Sequence, residues 1–133
     1  MVKAKGLVLT SLQESLEPTS RKPTDVTFIF REEWCGFSNF KEIKAHKFVL
    51  SLVSDVFEAA FYGDIQDNGR IEIKDATAEA FEAMIHFIYN IESSVCNYDF
   101  EMICSLYCLA DKYNIGALKE ESLQAIYNKE ISV

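Results

Sequence analysis

The chain has 133 residues, of which 49% are hydrophobic and 26% charged, enough for one packed core and too few for two. Acidic side chains outnumber basic ones by 21 to 13, giving a net charge of −8, and the scattered Lys and Arg lack the basic footprint of a nucleic-acid-binding protein. No apolar run approaches the roughly 20 residues of a membrane span and no signal-peptide pattern opens the chain, so we expect a soluble, non-secreted protein of the cytoplasm or nucleus.

The first predicted element is an amphipathic helix over residues 6–17. Its apolar residues recur at offsets of three and four along one face: Val8, Leu9, Leu12 and Leu16. Pro18 and Pro23, with polar residues between them, predict a linker after this helix. A leucine left in water forgoes roughly 1.5–3 kcal/mol, so we expect this face to pack against another chain.

A β-hairpin is predicted next. Residues 25–31 and 40–45 both alternate apolar and polar positions, which is typical of half-buried strands. The residues between them, including Trp34, predict a long loop. Trp34 has two open interpretations, an anchor folded onto the sheet or an exposed binding residue.

Two short helices and a short strand are predicted to follow. The apolar run at 48–53 is too continuous for an exposed strand, and Ser54 is a plausible N-cap for a second helix that Gly63 ends. After a turn at 67–69, residues 70–74 alternate as a short strand.

Three helices complete the predicted fold. Thr77 can cap a helix that ends at Asn90, and residues 99–113 are apolar nearly all round, which predicts a central, enclosed helix. A last helix has as its inner face Leu118, Ser122, Ala125 and Ile126. The order predicts an α+β fold in which helices cover a small sheet.

No pattern of residues predicts catalysis or a metal site. Asp25, His46 and Lys47 lack a nearby nucleophile, and Gly36–Phe40 resembles a serine elbow only by chance. Cys104 and Cys108 lie four apart and could offer two thiolates to zinc, but a closed site needs four ligands, so we expect them to be buried as small hydrophobic residues. We therefore expect no enzyme activity, no cofactor, no metal and no small-molecule ligand.

Several separated blocks, in the right order, resemble the BTB domain, also called POZ, from about residue 7 to residue 128. They include Asp25-Val26-Thr27-Phe28, Ala45-His46-Lys47-Phe48, Phe61-Tyr62-Gly63, Ile71-Glu72-Ile73 and Leu109-Ala110-Asp111-Lys112-Tyr113. The likeness is greatest to BTB domains that precede a BACK region in ubiquitin-ligase adaptors. It implies a dimerisation helix and linker at 1–24, a BTB/POZ core at 25–128 and a tail at 129–133.

The resemblance implies a homodimer and two kinds of partner. Its dimer interface would comprise Val8, Leu9, Leu12, Leu16, Val49 and Val53. Docking of the third member of the cullin scaffolds would use Phe57, Ile65, Gln66, Asp67 and Tyr98. Adaptors of this kind carry a hydrophobic residue, any residue, then Glu in that loop, and Asp67 is one methylene shorter.

The family also implies an alternative role, in transcriptional regulators that bind corepressor peptides in a groove at the dimer interface. A small charged pocket there would contain Asp25 and Lys47. The favoured expectation is a cullin-recruiting adaptor whose substrate is bound elsewhere in the full-length protein.

Overall fold

The computed structural model describes residues 23–34, 37–63, 69–90 and 95–131. The side chains at 33, 34, 37, 38, 130 and 131 are also outside the description. The predicted first helix with Val8, Leu9, Leu12 and Leu16, and the predicted docking loop with Ile65, Gln66 and Asp67, therefore lie outside the described residues, as does the side chain of Trp34.

Three strands form one sheet in the order β2-β1-β3. Strand β1 (Val26–Trp34) pairs antiparallel with β2 (Phe37–Ala45), and the short β3 (Arg70–Glu72) pairs parallel with β1. The predicted long hairpin loop is wrong, because pairing continues to the partners Trp34 and Phe37. Where both faces of the hairpin meet solvent, as at the consecutive residues Arg31 and Glu32, strand pairing satisfies the backbone without an alternation of burial.

Five α-helices occur in the described residues. They are α1 (Lys47–Val53), α2 (Asp55–Tyr62), α3 (Ala78–Tyr89), α4 (Phe100–Lys112) and α5 (Gly116–Ile131). Side chains cap three of them, as the Thr77 oxygen accepts the Ala80 N–H at 3.2 Å and Asp99 accepts the Met102 N–H at 2.8 Å. No helix in these described ranges is long and apolar enough to cross a membrane.

The core lies between the inner face of the sheet and the helices. Phe28 of β1 contacts Phe81 of α3 with ring centroids 4.6 Å apart, and nine of the twelve residues of α3 are buried. The prediction that α4 is the enclosed helix is wrong, because its Phe100 and Cys108 are exposed. α4 packs one side on α5 and α3, whereas α3 is enclosed by the sheet and by its helical neighbours, so the central position belongs to α3.

A tight connection at Asn114 joins the last two helices. Asn114 follows α4 with a φ of 54°, a left-handed conformation that Asn tolerates better than most residues. The inner face of α5 is confirmed, with Leu118, Ser122 and Ala125 buried and Ile126 packed against the core. The α+β fold with a small sheet covered by helices is thus confirmed.

Candidate protein-interaction surface

Helix α1 begins at a junction that two distant side chains hold in place. His46 stands at its N-cap position but makes no side-chain cap, so the first backbone donors need other acceptors. Asp25 Oδ1 accepts the Lys47 N–H at 2.7 Å, and the Tyr89 hydroxyl accepts the His46 N–H at 3.0 Å. The start of the sheet and the end of α3 therefore fix the position of α1.

Tyr89 is the most enclosed of these partners. Its side chain is fully buried, and its hydroxyl also contacts His46 Nδ1 at 2.7 Å. Burial raises the pKa of Tyr89 to about 12, because the phenolate would lose its hydration, although the bond from the His46 backbone opposes the shift. Tyr89 is therefore a neutral structural clamp at physiological pH.

Ser54 joins α1 to α2 and ties both to the end of α4. Its hydroxyl accepts the Phe57 N–H at 3.1 Å, as predicted for an N-cap, and donates to the Tyr113 carbonyl at 2.5 Å. The Phe57 and Tyr113 rings stack with centroids 4.3 Å apart. Contacts with Tyr113 thus hold the junction of the two short helices against the end of α4. The sides of α1 and α2 that face away from the core are exposed to solvent.

Those outward sides carry large apolar residues. Phe48 and Leu52 are each 66% exposed and lie one turn apart on α1, while Val53 and Val56 are each 38% exposed. We refer to Phe48, Leu52, Val53 and Val56 as the α1–α2 apolar surface. Exposed apolar groups on consecutive rigid helices are typical of a protein-interaction site.

The predicted dimer residues on α1 differ in their placement. Val49 is only 8% exposed and belongs to the core, whereas Val53 belongs to the α1–α2 apolar surface. Sequence reasoning missed Phe48 and Leu52, which are the most exposed apolar side chains of this helix. The signal was present as an apolar pair four residues apart, but Val49 and Val53 have the same spacing, and periodicity alone does not choose between them.

The predicted cullin-docking residues also have different environments. Phe57 is 2% exposed in the core, so the surface of α2 is made instead by residues such as Val56, Ala59 and Tyr62, the last 59% exposed. Tyr98 is half-buried, packs against the core and follows a 3₁₀ turn at Val95–Asn97. The other predicted docking residues, Ile65, Gln66 and Asp67, lie outside the described residues.

The predicted charged pair of Asp25 and Lys47 is brought together through the backbone. The Asp25 carboxylate binds the Lys47 N–H, and the Lys47 ammonium lies 5.8 Å above the Phe61 ring. Such a cation–π contact favours the charged amine next to an aromatic face. Asp25 therefore has a capping role at α1 in addition to any role of its charge.

The cysteines are not placed as predicted. Cys104 is half-buried and Cys108 is exposed, so the expectation of buried cysteines is wrong. Both lie on the side of α4 that faces away from its packed residues. Within the described part of the chain, no three His, Cys, Asp or Glu side chains are grouped to hold a metal ion.

Comparisons with known proteins agree with this geometry. The family model described as "BTB/POZ domain" matches residues 12–130. A BTB/POZ domain-containing protein of Arabidopsis thaliana is 32% identical over 112 residues, 83% of this chain and 44% of that protein. The BTB/POZ domain-containing protein 9 of Rattus norvegicus and that of Mus musculus are each 27% identical over 101 residues, covering 74% of this chain and 15% of theirs.

A solved structure has the same fold. The BTB domain of zebrafish PATZ1 is similar with a TM-score of 0.75 and 21% identity, over 96% of this chain and 95% of that one. The chain spans less than half the length of the curated relatives it matches.

Proposed function

The chain belongs to the BTB/POZ family of protein-interaction domains, and from this membership we propose that it acts as a homodimeric adaptor that recruits a cullin scaffold. Domains of this family generally self-associate and bind protein partners. The substrate for ubiquitination would be bound by another part of the full-length protein, and catalysis would belong to the recruited ligase. Two tethered substrate sites would raise avidity through effective concentration without any new contact.

The α1–α2 apolar surface is the observation that carries the dimer proposal. Phe48 and Leu52 leave about two thirds of their surface in water, and full burial of such a side chain contributes roughly 1.5–3 kcal/mol. In the proposed dimer the leucine face of the N-terminal helix, with Leu9, Leu12 and Leu16, packs on this surface of the partner copy. The anchoring of α1 by Asp25 and Tyr89 favours binding, because little order remains to be imposed when the partner arrives.

Dimerisation can be tested with two leucines of similar exposure. Leu52 on α1 is 66% exposed and Leu123 on α5 is 53% exposed. We expect the parent chain to be a dimer in analytical ultracentrifugation, Leu52→Glu to be a monomer with unchanged helicity, and Leu123→Glu to remain a dimer. A monomeric parent chain, or a Leu52→Glu chain that still pairs, would contradict the proposal.

The cullin-docking proposal rests on the resemblance of the loop at 65–67 and on its neighbour α2. Ile65 keeps the hydrophobic position of the adaptor motif, and Asp67 keeps a carboxylate that is one methylene short. Tyr62, exposed at the end of α2 just before this loop, adds an aromatic side chain of the kind that is enriched in interfaces. We propose that these residues form one docking site with the region around Tyr98.

Calorimetric titration with a cullin N-terminal domain tests the docking site with one variant that should weaken binding and one that should strengthen it. Asp67→Ala removes a charge-assisted hydrogen bond and should lower affinity by about tenfold or more, while Asp67→Glu restores the full motif and should raise it. Glu120→Ala is the control, because it removes an exposed carboxylate from α5. Absence of heat at high micromolar concentrations, for the parent chain and for Asp67→Glu, would exclude cullin recruitment.

Asp67→Ala also distinguishes cullin recruitment from the alternative role in transcriptional regulation. Binding of a corepressor peptide in the groove at the dimer interface would require dimerisation but not the loop at 65–67. Asp67→Ala should therefore leave peptide binding unchanged if that role applies, and Leu52→Glu should abolish it.

A further inference from the structure

An open groove lies on the side of the molecule formed by α4 and the start of α3. Its volume is about 670 Å³, within the range of roughly 300–1,000 Å³ of small-molecule sites. Residues 75–77 and Ala80 form one wall, and α4 forms the other from Phe100 to Lys112. The α1–α2 apolar surface contributes no residue to the groove.

The groove combines apolar walls with two thiols. Ala76, Ala80, Phe100 and Leu109 supply the apolar lining, and Phe100 leaves 46% of its surface exposed. Cys104 and Cys108 lie one helical turn apart on the same wall, the first half-buried and the second exposed. A thiol that is open to solvent and borders an apolar cavity is accessible to an apolar reagent held beside it.

An ion pair closes one end of the groove. The Lys112 ammonium is hydrogen-bonded to Asp75, and this bond lowers the pKa of the Asp75 carboxyl, so both groups stay charged at neutral pH. An ammonium has three donors, so Lys112 can also bind a carbonyl oxygen while it remains paired with Asp75. The groove therefore offers a nucleophile, an apolar surface and a donor for a polarised carbonyl.

We propose that this groove is a covalent modification site for apolar α,β-unsaturated carbonyl compounds, with the pair Cys104 and Cys108 as the nucleophiles. In the reaction the thiolate sulfur forms a bond to the β-carbon, and the C=C π electrons move to the α-carbon and carbonyl. The α-carbon then takes up a proton, which replaces the proton that the thiol lost. Nothing is oxidised or reduced, and no further reagent is needed.

Cys96 provides an internal control, because it is exposed but does not line the groove. The chain would be treated with limiting 4-phenyl-3-buten-2-one or with iodoacetamide, a small polar reagent, and adducts would be located by peptide fragmentation. The rate at Cys104 plus Cys108, divided by that at Cys96, should be about tenfold higher for the enone, because only the enone gains apolar contact in the groove. Equal ratios for the two reagents would overturn the proposal.

A groove-filling variant tests the same site without removing a thiol. Ser105 lies on the groove wall between the two cysteines, and Ser105→Phe should fill the cavity and return the enone ratio to the iodoacetamide value. Circular dichroism checks that the variant is folded. As a second measurement, Cys104→Ser/Cys108→Ser should eliminate the fast enone adduct and Cys96→Ser should retain it; a fast adduct that survives the double substitution would refute the assignment.

Discussion

The hydroxyl of Tyr89 joins the end of α3 to the residue before α1, accepting the His46 N–H at 3.0 Å and contacting the His46 ring Nδ1 at 2.7 Å. A hydroxyl can accept hydrogen bonds and donate one, so a single oxygen can serve the His46 N–H and the His46 ring nitrogen together. One buried oxygen thus fixes the backbone and the ring of the residue from which α1 starts.

Removing this oxygen should destabilise the fold. Tyr89→Phe keeps the ring but leaves the His46 N–H without its acceptor, so we expect a loss of about 1–3 kcal/mol in the free energy of unfolding. Urea denaturation measures it. Tyr127→Phe is the control, because Tyr127 is 59% exposed, and it should change stability by less than about 0.5 kcal/mol. Equal effects of the two substitutions would show that the hydroxyl of Tyr89 contributes little.

Burial of Tyr89 also predicts a loss of stability at alkaline pH. Its folded pKa of about 12 exceeds the ordinary value of 10.0, so the fold favours the neutral phenol. The contribution of the buried neutral phenol to the free energy of unfolding is complete below about pH 10 and is lost as the pH rises from about 10 to about 12. The difference in tyrosinate absorbance between the parent chain and Tyr89→Phe should therefore rise near pH 12 or at alkaline unfolding, whichever comes first; a rise near pH 10 in a folded chain would contradict the burial.

The carboxylate of Asp25 should stabilise α1 as a cap supplied from outside the helix. Asp25→Ala removes the acceptor of the Lys47 N–H, and we expect a cost of about 0.5–2 kcal/mol, as for other helix caps. Asp25→Asn keeps a carbonyl oxygen and should cost less. Thermal unfolding monitored by circular dichroism compares the two with Glu120→Ala, which removes an exposed carboxylate on α5. If Asn were as harmful as Ala, the charge and not the hydrogen bond would be the important property.

Ser54 should be the most sensitive position between α1 and α2. Ser54→Ala leaves the Tyr113 carbonyl without its donor and the Phe57 N–H without its acceptor, both in a buried environment, so we expect a loss of about 1–3 kcal/mol. Ser51→Ala, three residues earlier, is the matched control. Among the described residues, Ser51 donates to the Phe48 carbonyl of the same helix in an exposed hydrogen bond, and its replacement should be nearly neutral. Guanidinium denaturation of both variants makes the comparison, and similar losses would exclude a special role for Ser54.

Local sequence signals predicted the element types well. Ser54 and Thr77 were identified as caps and both accept the expected backbone donors, because an N-cap depends on residues within one turn. The inner face of α5 followed from the spacing of Leu118, Ser122 and Ala125. The hairpin loop and the enclosure of α4 were predicted wrongly, because strand pairing and helix burial depend on residues that are distant in sequence.

The amino-acid sequence by itself determined the α+β order of elements, the caps and the membership of the chain in its family. Tertiary structure alone decided which sides of α1 and α4 reach solvent. Phe48 and Leu52 have the same four-residue spacing as Val49 and Val53. Only the packing of α1 against α2 and α3 buries Val49 while it exposes Phe48 and Leu52. Packing also decides that α3 is enclosed while one side of α4, with Cys104 and Cys108, is open to solvent. A periodic pattern identifies the apolar faces of a helix but not the neighbours that cover them.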